Sequence, residues 1–111
     1  MVDFGWVKEK NNDYTRSQIE FRPYCKRRMA ERGIDEELVI STLFCEGCFY
    51  CEEQDKPFQG KIEKRHKLMF RISTKYCLIV IVRYDEKVLK VINVIKTSKD
   101  LEKKWRKKIS L

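Results

Sequence analysis

The chain has 111 residues, enough for one compact domain and too few for two independent cores. Apolar residues make up 42% and charged residues 38%, which argues against intrinsic disorder and for a core beneath an unusually charged surface. The net charge of +8 is unevenly placed: residues 1–55 carry −4 and residues 56–111 carry +12, so an anionic partner is to be sought against the second half.

The longest apolar run, residues 76–82, is strand-sized, whereas a membrane-spanning helix needs about 20 such residues. The opening MVDFGWVKEK lacks a secretory pattern, so a cytoplasmic location and no membrane partner are expected. Five cysteines cannot all pair within one chain, and reduced thiols are the default.

In chain order, residues 1–17 show no stable period and contain the polar run KEKNND, which reads as a flexible arm before a single domain at 18–111. Pro23 suits the first turn of a helix that continues through Arg32 and stops at Gly33. Asp35 can cap a second helix whose stripe is Leu38, Val39, Thr42 and Leu43, with Gly47 as its stop. From Cys48 the period changes to two, giving strands at 48–53, 61–73, 76–84 and 88–96. The short connections make the last three antiparallel neighbours. The strand at 76–84 is apolar on both parities, which calls for a covering helix or a partner chain and leaves room for a homo-oligomer. Thr97 and Asp100 resemble a capping box, and Leu101, Trp105 and Ile109 recur at helical spacing among lysines, predicting a basic amphipathic C-terminal helix.

Residues 24–40, YCKRRMAERGIDEELVI, resemble the opening of the domain of unknown function family 4258, whose helices read roughly R-M-x-E-R-G-I-x-x-E-x-V. Arg28, Met29, Glu31, Arg32, Gly33, Ile34, Glu37 and Val39 carry the match. The stretch 76–99, YCLIVIVRYDEKVLKVINVIKTSK, is similar to that family's final two strands, and the resemblance covers residues 21–100. It departs at Tyr24, where many members carry histidine. The resemblance implies membership of the RelE/ParE-like toxin superfamily. The expected fold class is therefore α+β, with two N-terminal helices on a four-stranded, mainly antiparallel sheet and a C-terminal basic helix. It also implies a toxin-like protein that binds RNA or the ribosome, with an acidic antitoxin-like protein as partner, and extends to metal-independent endoribonuclease activity without a cofactor.

Such cleavage needs a base for the ribose 2′-hydroxyl, cations for the phosphate and an acid for the leaving oxygen. In the strand at 61–73, Lys61, Glu63, Arg65, Lys67 and Arg71 share one face, and Leu68, Phe70 and Ile72 share the other. Arg83, Tyr84 and Lys96 lie near the ends of neighbouring strands, so Arg65, Arg71, Arg83, Tyr84 and Lys96 form the candidate catalytic set. The simpler reading of the stripe is a solvated sheet face. His66, the single histidine, is a further candidate, although its parity sets it beside Leu68 and Phe70, as a hydrogen-bonded histidine at the core edge.

Lys61, Lys67, Lys99, Lys103, Lys104 and Lys107 are the expected nucleic-acid contacts. Two alternatives stand beside these readings: a non-catalytic module using the same face for nucleic acid or an acidic protein, and a metal-binding protein. The latter would use Cys45, Cys48 and Cys51 in C-x-x-C-x-x-C, with Cys25 or Cys77 as a fourth ligand. Strand alternation would point Cys48 and Cys51 to opposite faces.

Overall fold

In the computed structural model, which describes residues 4–44 and 48–98, three α-helices pack on one face of a five-stranded mixed sheet. The elements are α1 (Phe4–Asn11), β1 (Ile19–Phe21), α2 (Pro23–Arg32), α3 (Glu36–Phe44), β2 (Cys48–Phe58), β3 (Lys61–Arg71), β4 (Tyr76–Tyr84) and β5 (Leu89–Ser98). The sheet order is β1-β5-β4-β3-β2. β1 runs parallel to β5, and the other pairs are antiparallel.

The local signals at α2 and α3 act as the sequence suggests. Pro23 opens α2 after Arg22, whose backbone is extended, as a residue before proline prefers. Gly33 closes the helix in the left-handed conformation at φ 67°, and the Ile34 N–H donates to Met29 O at 2.9 Å. Asp35 Oδ1 accepts the Glu37 N–H at 3.2 Å and so holds the start of α3.

The α+β class holds, but the architecture differs from the expected four strands and two helices. Residues 4–11, expected within a flexible arm, form α1. Val7 and Asn11, four apart on that helix, are fully buried, so the helix is held by docking rather than by a continuous apolar stripe. Asn11 Nδ2 donates to Leu43 O at 2.8 Å, tying α1 to α3. β1 is an added strand, too short to show a period, and pairs Ile19 with Leu89 and Phe21 with Val91. β2 runs on to Phe58, five residues past its expected end at residue 53. Its turn is only Gln59 and Gly60, at φ 51° and 77°, the paired positive values of a tight hairpin. Pro57 is tolerated because β2 is an edge strand. The expected C-terminal helix lies outside the described residues.

β4 is apolar on both parities because both faces are buried. Leu78, Val80 and Val82 join the main core with Val7, Met29, Val39, Leu43, Leu68 and Phe70. Cys77 and Ile79 join Phe49 and Met69 in a second cluster. A register shift pairs Ile81 with Asn93 but Val82 with Val91, which makes Ile92 a bulged residue of β5.

Candidate functional site

The alternation of β3 places Glu63 and Arg65 on one face, two residues apart, and Arg65 Nε donates to Glu63 Oε1 at 2.7 Å. Arg83 extends from β4 and donates through Nη1 to Glu63 Oε2 at 2.8 Å. Arg22, held between β1 and α2, completes the group from 41 residues away: Nη1 donates to Oε1 at 2.9 Å and Nη2 to Oε2. The fork of Arg22 thus grips both carboxylate oxygens, while Arg65 and Arg83 each add a charged hydrogen bond.

Glu63 is 4% exposed. The Arg22 hydrogen bonds, reinforced by Arg65 and Arg83 and opposed by burial, hold its carboxyl down at about 2. The carboxylate is therefore ionised, and three guanidinium groups against one carboxylate leave the centre with a net charge of +2. The side chains of Arg22, Arg65 and Arg83 are 15%, 17% and 40% exposed, so Arg83 is the most open to solvent. Phe58 supports the group, with the Arg22 guanidinium 4.2 Å and that of Arg65 5.9 Å from its ring centre. A cavity of about 360 Å³ opens here, lined by Arg22, Glu63 and Arg83 together with Lys61 and Lys90. Asp85 moderates the charge, binding Arg83 Nε at 2.7 Å and Lys90 Nζ at 3.6 Å.

No family model, curated protein or solved structure matches this chain. Its chemistry is carried by the arrangement of its own side chains.

Of the expected catalytic residues, the structure brings together Arg65 and Arg83, and Lys61, an expected nucleic-acid contact, lines the cavity. Arg71 shares the face of Arg65 but lies six residues further along β3, about 20 Å away at strand rise. Lys96 pairs with Leu78 across β5 and β4, and its Nζ sits 4.6 Å from the ring of Tyr76, again at the far end of β4. Lys67 is half-buried on the face of Arg65. Lys99, Lys103, Lys104 and Lys107 lie outside the described residues.

Tyr84 follows Arg83 and points to the opposite face, under α1. Its hydroxyl donates to Asn11 Oδ1 at 2.6 Å, and burial pushes its pKa strongly up. It anchors the helix and stands apart from the guanidinium centre. Tyr84→Phe is expected to lower stability by about 1 kcal/mol in urea unfolding, the usual worth of such a bond.

His66 also faces α1, on the side of Leu68 and Phe70 that its parity indicates. Its ring centre is 5.3 Å from that of Trp6 and 5.2 Å from that of Tyr84, and Nε2 is 3.7 Å from Glu53 Oε1. Nδ1 is buried without a hydrogen-bond partner, and burial lowers the pKa, so the ring is neutral at neutral pH. Ring contacts rather than hydrogen bonds fix it, and neither His66 nor Tyr84 reaches the cavity.

Cys45 is outside the described residues. Cys48 and Cys51 lie on one face rather than two, because a register shift after Cys48 sets them opposite Phe70 and Leu68. Burial pushes the Cys48 thiol up to about 11 and that of Cys51 to about 12, so both are protonated at neutral pH and pack as small apolar groups. Among the described residues, no three His, Cys, Asp or Glu side chains are placed to share a metal ion.

Glu63 and Arg22 are the functional candidates that the sequence reading did not single out. Glu63 carried a signal, as the lone acid in KIEKRHK at even separation from Lys61 and Arg65. Arg22 carried a weaker one: an extended residue before Pro23 is directed away from the helix it precedes.

Proposed function

We propose that the chain is a toxin-like RNA-binding protein that holds the sugar–phosphate backbone of a single strand at the Arg22–Arg65–Arg83 centre. The observation that carries this reading is the convergence of three guanidinium groups on Glu63, with Arg22 and Arg83 lining one polar cavity beside Lys61 and Lys90 and more cation there than Glu63 and Asp85 neutralise. Guanidinium forks match phosphate oxygens as well as carboxylate oxygens. A backbone phosphate entering the cavity exchanges for part of the Glu63 hydrogen bonding, while Lys61 and Lys90 meet the adjoining phosphates. The same chemistry suits ribosomal RNA, and an acidic antitoxin-like segment is the protein that would compete for it.

A second reading, metal-independent endoribonuclease, is favoured by the carboxylate inside the cationic centre. Glu63 would take the proton of the ribose 2′-hydroxyl, the 2′-oxygen–phosphorus bond would form, and the bond from phosphorus to the 5′-oxygen would break. Arg22, Arg65 and Arg83 would carry the charge of the crowded phosphate, and water or a cavity lysine would protonate the leaving oxygen. At about 2, Glu63 is a poor base in the free protein. A bound phosphate that draws the arginines away raises its pKa towards the ordinary range.

The test is binding and cleavage of single-stranded RNA by the purified full chain, alone and with translating ribosomes. Salt-sensitive binding is expected, with log K falling by about 0.7 per phosphate neutralised for each unit of log salt. Binding without cleavage in both settings removes the nuclease, and absence of binding at low salt removes the RNA reading.

A further inference from the structure

A second, apolar cavity of about 210 Å³ adjoins the guanidinium centre and shares Arg22, Phe58 and Arg65 with it. Its other lining residues are Tyr24 from the start of α2, Ile81 from β4, and Ile92 and Asn93 from β5. The bulge in β5 sets Ile92 and Asn93 beside Ile81. Tyr24 is half exposed at the mouth, with the Arg27 guanidinium 5.8 Å from its ring centre.

We infer that this slot receives one nucleobase of the bound strand, selected for a carbonyl oxygen at the edge that meets Asn93. The inference rests on the RNA reading above. An apolar, aromatic-edged slot beside a phosphate-binding cation cluster offers a nucleotide both of its requirements in one place, a stacking surface and a charge partner. Asn93 supplies the selection. Its Oδ1 already accepts the Val94 N–H at 2.9 Å and lies 3.5 Å from Arg32 Nη1. A backbone N–H can only donate, so the amide orientation is fixed and the Nδ2 donors are what Asn93 has for a ligand. A base presenting an exocyclic oxygen, such as uracil or guanine, accepts from them. Adenine would set its exocyclic amino group against another donor.

The experiment measures binding of the full chain to short oligo(U), oligo(A) and an abasic oligomer of equal length by fluorescence anisotropy. Oligo(U) is expected to bind about fivefold more tightly than oligo(A), the worth of one hydrogen bond, and both more tightly than the abasic strand. Asn93→Asp keeps the acceptor for Val94 and replaces the donors by an acceptor, so the ratio between oligo(U) and oligo(A) should invert even as overall affinity falls. Tyr24→Ala, at an exposed position that does not threaten folding, should weaken both base-bearing strands and spare the abasic one. Equal binding of all three strands, or a ratio unmoved by Asn93→Asp, overturns the base slot and leaves phosphate binding standing. Failure of all three strands to bind overturns both.

Discussion

Glu63→Gln is expected to destabilise the protein by about 3 kcal/mol at pH 7 and, on the RNA reading proposed above, to tighten RNA binding. The carboxyl falls from 4.5 to about 2 on folding, and each unit is worth about 1.4 kcal/mol. Because the folded value is depressed, this stability is fully present above pH 4.5 and is lost as the pH falls towards about 2. Urea unfolding of native and variant proteins should therefore differ by about 3 kcal/mol at pH 7 and by about half that at pH 3. Removing the carboxylate also raises the centre from +2 to +3 and releases the donors of Arg22, Arg65 and Arg83 to phosphate. RNA affinity should rise about tenfold at low salt, with the salt slope steeper by about 0.7. Any RNA cleavage should disappear. A variant that binds more tightly and cleaves nothing where the native chain cleaves assigns Glu63 as the base; one that cleaves normally excludes it.

Arg22→Ala has the second largest expected effect, and its sign on binding is opposite. The substitution removes the two-pronged grip on Glu63 and the guanidinium above Phe58, leaving a nearly buried carboxylate with two arginines instead of three. Loss of about 2 kcal/mol of stability is expected, less than complete isolation of a buried charge would cost, because Arg65 and Arg83 remain. RNA affinity should fall about tenfold, and the salt slope should flatten by about 0.7 for one lost phosphate contact. Arg22→Lys separates charge from shape: an ammonium keeps the slope but cannot reproduce the fork, so affinity should fall with the slope unchanged. Equal affinity for the native protein and Arg22→Ala across the salt range would remove Arg22 from the binding centre.

The parts of this fold legible in the sequence are those with a local cause. Pro23, Gly33 and Asp35 mark α2 and α3 because capping acts within one turn. β3 is legible because charged and apolar residues alternate along it, and β4 because an apolar run of strand length stands between short polar breaks. α1 is hidden because Val7 and Asn11 form only one buried pair, meaningful once Leu43 and Tyr84 are beside them. β1 has three residues and borrows its register from β5.

The site divides in the same way. Face parity joins Arg65 to Glu63 but cannot separate either from Arg71, since residues can share a face and still lie about 20 Å apart. Tyr84 shares a strand end with Arg83, but adjacent strand residues point in opposite directions. Arg22 enters from 41 residues away, a distance that only tertiary packing closes.

The most direct test of the account is an NMR titration of the arginine Nε–Hε signals of the full chain with a short single-stranded RNA at low salt. The account predicts that Arg22, Arg65 and Arg83 shift together and saturate at one RNA concentration, while Arg71 moves little. Saturating RNA binding that leaves those three signals in place would contradict it.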